Sequence, residues 1–466
     1  MPIPVQNPLR RCAENQRKVQ PLKVPHITVL DASPLNSIYY IFDLFRPAPK
    51  NCKTEFGPQK KLSNLALILQ IPPKEGKKMN RISKLKPIAK IAYYDNFVCT
   101  TSACTNTCCT SWDINIDKKS YYEFKADPSR AEHVKKLKGP GQKRNGTHFG
   151  RIKLNQNGNC PFLDEDITCS LHNRFGHTAL PKICQSFPRT RFVSDGIETS
   201  SLSLDCPEVV KLAMLNEDGG FSREGDALDV SSTPIDGTSL ECVRALIDFL
   251  NDKESSIEKK LLVIGSVIKN TDISARCNYT KLSALLNQTL PRIDFEHPQD
   301  PGILQVECFY PYLESIRLRS NQDKMADFRQ NARSYLDQRG MSIASRIKQF
   351  VIARELFNKI VAPSQLKYLE KLIINQLFSN HILLSREADK ASDLIAEITL
   401  RASVARFILI LNFGKNDFSM SLDDFATIVS TVYRNVGHNR DQIERWKKYI
   451  NSRCTDFYAA SYLLLA

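Results

Sequence analysis

A chain of 466 residues is longer than one hydrophobic core usually serves, so two or three domains are expected. Its 42% hydrophobic and 25% charged residues are ordinary for a soluble globular protein, and no stretch reaches the roughly 20 apolar residues of a membrane span. The net charge of +15 is uneven, about +8 in residues 1–78, about +6 in 79–210 and about +1 beyond; it suits an acidic protein partner, while the lack of basic runs interleaved with aromatics argues against nucleic acid.

Residues 1–78 hold many prolines, scattered basic residues and one apolar run, LALILQI, that stops at a double proline. They read as a poorly ordered basic extension, and Met79 offers an alternative start. No basic amino end leads into a signal-type apolar segment, so a cytoplasmic protein with reduced thiols is expected. From Met79 the texture changes. KIAYYDNFVCT reads as a short strand feeding the first cysteine of a cluster. Eight of the fourteen cysteines fall between Cys99 and Cys206, namely Cys99, Cys104, Cys108, Cys109, Cys160, Cys169, Cys184 and Cys206. The other six, Cys12, Cys52, Cys242, Cys277, Cys308 and Cys454, are scattered singly.

Three accounts compete for this cluster. A disulfide framework belongs to small secreted domains, which this chain does not resemble. Buried free thiols suit the scattered cysteines better than a CxxxCC triplet followed by three more. A thiolate metal site, zinc or iron–sulfur, explains the spacing best.

Within SWDINID, Trp112, Ile114 and Ile116 alternate with polar residues as in a half-buried strand. Residues 125–149 read as a helix end and a hydrophilic loop. The stretch from Gly150 through Cys169 reads as a hairpin turning at Asn157-Gly158. Residues 216–240, rich in Gly, Ser and Asp, read as a linker. Beyond it the period is helical: Ile343 to Ile360, Leu366 to Leu377, and Leu394 to Leu409 with Gly414 as a C-cap. A further helix follows Ser421 as N-cap. The predicted fold class is α+β, predominantly α. A small cysteine-rich module of short strands and loops over 79–215 precedes a multi-helix domain over 241–466.

The run FxCxxxxCxxxCCxxWxIxID, then CPFL, LPxxCxxFPR and LxCPE, resembles the bacterial flagellin lysine-N-methylase family. A broader set of small cysteine-rich metal-chelating proteins shares the CC followed by spaced cysteines. The first resemblance implies transfer of methyl groups from S-adenosylmethionine to the ε-amino groups of flagellin lysines, with an iron–sulfur cluster, most simply 4Fe-4S, on the cysteines. The rival implies a non-catalytic zinc- or iron-chelating interaction protein. The expected ligands are Cys104, one of Cys108 and Cys109, Cys169 and Cys184, with Cys160 next; Cys99 and Cys206 are expected to pack around them. Neighbouring residues of a strand face opposite ways, so only one of Cys108 and Cys109 is expected to bind.

Methyl transfer to lysine needs a neutral amine aligned with the methyl group, and a sulfonium favours aromatic faces and carboxylates. Trp112 and Asp113 are the candidates beside the cysteines. Tyr93, Tyr94, Asp95, Asp117, Tyr121 and Tyr122 are further ones, each with a plainer reading as core or cap. Arg189 offers a planar fork to a cofactor carboxylate, or an ordinary surface ion pair. His172 and His177 flank Cys169 and Cys184 as possible metal ligands, or as solvated loop residues, and His438 sits at a turn between helices. No GxGxxG loop marks a Rossmann-type site, and the CxxxCxxC spacing of radical enzymes is missing, which favours a non-radical role for the metal.

Overall fold

A computed structural model describes residues 88–451, apart from 111–113, 129–136, 139–148, 195–196, 217–219, 225–238, 253, 271–277, 294–300, 317, 319–322, 338–340, 362–366, 381–387 and 438–439, together with Leu465. The expectations for residues 1–78 and Met79 lie outside these residues.

Two sheets divide the strands. The larger runs in the order β5-β6-β1-β7: β1 (Ile88–Ile91), β5 (Arg189–Ser194), β6 (Ile197–Leu202) and β7 (Phe221–Glu224). Strands β5 and β6 form a hairpin, and β1 lies parallel to β6, with Ala89 opposite Thr199. A parallel pair requires a long crossover. Here the crossover is most of the cysteine region, so both its ends are fixed in adjacent strands. Strand β7 pairs antiparallel with β1, which corrects the linker: Phe221–Glu224 is an edge strand of the sheet. The smaller sheet runs β2-β4-β3, from β2 (Asn115–Ile116), β3 (Leu137–Lys138) and β4 (Gly150–Ile152). Ile114 and Ile116 are buried, as their alternation predicts. The turn at Asn157-Gly158 forms, with Gly158 at φ +80°, the left-handed region that favours glycine. It is not flanked by the paired strands of a hairpin; beyond it Asn159 bridges to Thr110 instead.

Helix α1 (Lys118–Ala126) packs on the smaller sheet, and two short helices, α2 (Ser170–Phe175) and α3 (Lys182–Ser186), carry the later cysteines. Helix α4 (Pro207–Leu215) starts with proline at its first position, where the missing N–H costs nothing. Ten helices follow among the described residues: α5 (Ser239–Asp252), α6 (Ile257–Asn270), α7 (Tyr279–Thr289), α8 (Gly302–Ser315), α9 (Lys324–Leu336), α10 (Ile343–Ile360), α11 (Tyr368–Ser379), α12 (Ala388–Lys415), α13 (Leu422–Gly437) and α14 (Arg440–Asn451). Helix α12 buries most of its residues between Ala391 and Phe413 and sits among α6, α9, α10, α11 and α13, as a central helix must. No helix among the described residues is long and apolar enough to cross a membrane.

The predicted periodicity over 343–360 matches α10, whose N-cap Ser342 accepts from the Ser345 N–H at 3.1 Å. Ser421 caps α13 reciprocally: its hydroxyl accepts from the Asp424 N–H at 3.1 Å while the Asp424 carboxylate accepts from the Ser421 N–H at 3.2 Å. Gly414 is not a C-cap. Helix α12 continues through it, and a Cβ there would stand 2.5 Å from the Tyr335 ring, so the glycine permits close approach of α9. The left-handed residues that end this helix are Asp417 and Phe418.

The hydrophobic cores divide the chain differently from the predicted boundary at 215. The larger core takes in Ala89 to Phe97 and Leu202 to Met214 along with the helices. The smaller core, from Ile114 to Leu180, is separate and holds Cys160, with Cys109, Cys169 and Cys184 packed against it.

Candidate metal centre

The loop from Cys104 to Cys109 lies where the two cores meet, and α13 holds it there. Thr427, Ser430, Thr431 and Arg434 recur at three- and four-residue spacing, so they share one helix face. From that face Thr427 donates to the Thr105 hydroxyl at 2.8 Å, and Ser430 and Thr431 each accept from the Asn106 side-chain amide at 3.0 Å. The buried Arg434 guanidinium donates to the carbonyls of Asn106 (2.9 Å), Thr107 (2.9 Å) and Asp205 (2.8 and 3.1 Å) and to the Asn106 side-chain oxygen (3.1 Å). One cation therefore ties the CTNTCC loop to the residue before Cys206. Lys324, at the start of α9, adds a bond to the Thr105 carbonyl.

On the other side, the Cys160 N–H donates to the Cys109 carbonyl at 2.7 Å, and Leu163 bridges to Cys169. Cys169 stands at the N-cap of α2 and Cys184 inside α3. They lie close enough for one thiolate to raise the pKa of the next. Cys104 responds to Cys99 and Cys108, Cys109 to Cys108, Cys160 and Cys169, Cys184 to Cys108, Cys160 and Cys169, and Cys206 to Cys104 and Cys108. Cys108 neighbours Cys104, Cys109, Cys169, Cys184 and Cys206, whereas Cys99 is linked only to Cys104, and Cys160 to Cys109 and Cys184. Of the two expected to pack around the site, Cys206 is buried and Cys99 is exposed.

Burial pushes up the thiol pKa of Cys104, Cys169 and Cys184, and that of Cys206 to about 12. Cys108 is the exception. Its hydrogen bond with Cys109 lowers its pKa against the effect of burial, and Arg434 assists; Cys109 is pushed up by the same bond and by burial. The adjacent cysteines thus differ in character, with Cys108 the readier thiolate.

No disulfide joins the described cysteines, and no three His, Cys, Asp or Glu side chains among the described residues converge at metal-binding geometry. The donor set itself suits a thiophilic metal. It is all sulfur, and burial together with neighbouring thiols pushes up the pKa of Cys104, Cys169, Cys184 and Cys206, an effect that a bound cation reverses.

A cavity of about 260 Å³ adjoins this loop. Cys104 and Asn106 line it on one side, and Asp323, Lys324, Arg434 and Asn435 of the helical domain on the other.

The remaining candidates are dispersed. Trp112, Asp113 and His438 lie outside the described residues. Arg189 donates to the Phe97 carbonyl at 2.9 Å, with its guanidinium over the Phe97 ring (4.8 Å) and the Tyr94 ring (5.8 Å), so it braces the segment entering Cys99. Tyr93 accepts from Asn375 in the core, Asp95 pairs with Lys90, Asp117 caps α1, and Tyr121 and Tyr122 pack on Phe149. His172 and His177 are exposed, with ring centres 5.9 Å apart, and His177 contacts the Gln185 carbonyl at 3.2 Å. Sequence reasoning missed Arg434, Asn106 and Lys324. The signal for the first was a stripe of Thr, Ser, Thr, Arg and Asn on an otherwise apolar helix.

Fold and site together define a cysteine-rich module seated on a helical domain. Comparison with known proteins agrees. Residues 98–207 match the family described as "Putative zinc- or iron-chelating domain", and residues 244–464 match the FliB lysine N-methylase C-terminal domain. The chain is 35% identical over 147 residues to the flagellar biosynthetic protein FliU of Salmonella muenchen, covering 29% of this chain and 86% of that protein. It is 36% and 37% identical over 138 residues to lysine-N-methylases of Salmonella choleraesuis and Salmonella typhimurium, covering 28% of this chain but only 33% of each of those proteins. No solved structure matches. The chain belongs to the flagellin lysine-N-methylase family.

Proposed function

We propose that this protein methylates ε-amino groups of flagellin lysines in the cytoplasm, with S-adenosylmethionine as donor and an iron–sulfur cluster, 4Fe-4S, on its cysteines. What carries the reading is that the cysteine-rich segment, with the CTNTCC loop gripped by Arg434, is joined to a helical domain of the methylase family. Bound S-adenosylmethionine supplies an electrophilic methyl group, to which the lysine nitrogen bonds as the carbon–sulfur bond breaks and a proton leaves the nitrogen. Cys104, Cys108, Cys169 and Cys184 are assigned to the cluster, with Cys160 next in line and Cys109 as the neighbour that does not bind. Arg434 fixes the loop that carries Cys104 and Cys108 and offsets their negative charge. Trp112 and Asp113, close along the chain to the cavity-lining Thr110, are assigned to supply an aromatic face and a carboxylate for the sulfonium.

The match over 98–207 concerns metal chelation alone and favours a second reading, a zinc- or iron-binding protein without catalysis. Anaerobically purified protein mixed with flagellin and methyl-labelled donor distinguishes the two. The proposal expects label on flagellin lysines, read by mass, and its loss in Cys104→Ala. Absence of label with the cluster demonstrably bound leaves the chelating protein.

A further inference from the structure

We infer that the cavity between the cysteine loop and helices α9 and α13 is a binding site for a zwitterionic α-amino-acid group, and that it seats the methionine end of the methyl donor. The inference rests on the methyl-transfer reading for the identity of its ligand; the site itself is argued from the residues around it.

The chemistry of the walls selects the ligand. Asn435 is only 4% exposed, and its amide nitrogen is committed to the Thr431 carbonyl (3.0 Å) and to Asp323 Oδ1 (3.3 Å). Those bonds fix the amide's orientation and leave Oδ1 as a buried acceptor with no hydrogen-bond partner, on the wall of the cavity. A native acceptor left in this state calls for a donor from outside the chain. Beside it stands the Asp323 carboxylate, also 4% exposed. The two oxygens suit an ammonium group.

Opposite charge is at hand in the same cavity. Lys324 gives a bond to the Thr105 carbonyl, and an ammonium has three donors, so it retains protons for a carboxylate. Arg434 adds positive charge while its hydrogen bonds hold the loop. A ligand bearing only an amine, such as a lysine side chain, meets two cations here; a zwitterion satisfies both signs. Leu163 and Ile167 supply an apolar wall for a methylene chain and sulfur. At about 260 Å³ the cavity falls below the roughly 300 Å³ at which sites for whole drug-sized ligands begin, so it takes an amino-acid-sized group and leaves the nucleoside outside. Cys104 on the wall brings that group beside the cysteine cluster.

The test is calorimetric titration of the metal-loaded full chain with S-adenosylmethionine, S-adenosylhomocysteine, methionine and adenosine. The nucleoside-amino-acid ligands are expected to bind, and Asn435→Leu and Lys324→Met each to weaken them about tenfold or more, the loss expected for a charged hydrogen bond. Lys324→Arg should recover most of that loss, which separates ligand contact from damage to the fold, and metal content should stay constant across the set. Unchanged affinity in both variants, or no binding of either adenosyl ligand by the wild type, overturns the inference. Binding of methionine without any of S-adenosylmethionine overturns its assignment to the donor. If flagellin is methylated while both variants bind donor normally, this inference alone falls. If the variants lose donor binding but flagellin stays unmodified, the site stands and the proposed activity falls.

Discussion

The two hydrophobic cores are held together by different means. In the larger, long helices surround α12, and apolar contacts run without interruption from α5 to α14. In the smaller, the sheet strands are two or three residues long, well short of the usual five or six, and a handful of apolar side chains close over them. A region of that size does not bury enough surface to stand alone and ordinarily borrows a staple. Two staples are present in outline. One is α13, which grips the Cys104–Cys109 loop through Asn106 and Arg434. The other is the thiol neighbourhood around Cys108, whose ligands gain full cohesion from a cation. The lesson is that the helical domain is both the larger fold and the scaffold on which the metal module is completed.

Four substitutions or deletions press on this contrast, in falling order of effect. Arg434→Met removes the donor to three backbone carbonyls at once, so a loss of about 3 kcal/mol or more is expected in chemical denaturation, together with loss of metal. Retained metal with only a small destabilisation would show that the module needs no grip from α13. Gly414→Ala overpacks the Tyr335 ring, and about 1–3 kcal/mol should disappear from the helical domain while metal content holds. Should metal be lost in step with helix stability, the two cores are one cooperative unit. Ser421→Ala breaks one reciprocal cap of α13 and is expected to cost about 1 kcal/mol, visible as a modest shift in melting temperature. Removing residues 1–78 should change neither metal content nor the helical signal in circular dichroism. A truncated chain that fails to fold would assign LALILQI to the larger core.

Much of the helical domain was legible because its information is local. Ile343 to Ile360 announces its buried face by spacing, and Ser421 announces its cap by chemistry. The cysteine cluster was legible from its density, and the resemblance rested on it. What could not be read was long-range. Asn106 and Arg434 stand 328 positions apart in the sequence, and no local pattern joins them. Gly414 looked like a helix end because glycine favours that place; only the Tyr335 ring from α9 explains why a glycine lies within α12. The edge strand at Phe221–Glu224 was hidden in a polar, glycine-rich stretch, since an edge strand needs little apolar periodicity to pair on one side.

The central claim is that the clustered cysteines form one metal site with Cys108 at its centre. Its most direct test is iron, zinc and acid-labile sulfide content of the anaerobically purified full chain, measured for single alanine variants of Cys108 and of Cys242 and Cys308 in the helical core. The account predicts that Cys108→Ala loses bound metal whereas Cys242→Ala and Cys308→Ala keep the wild-type amount. Full metal content in Cys108→Ala would contradict it.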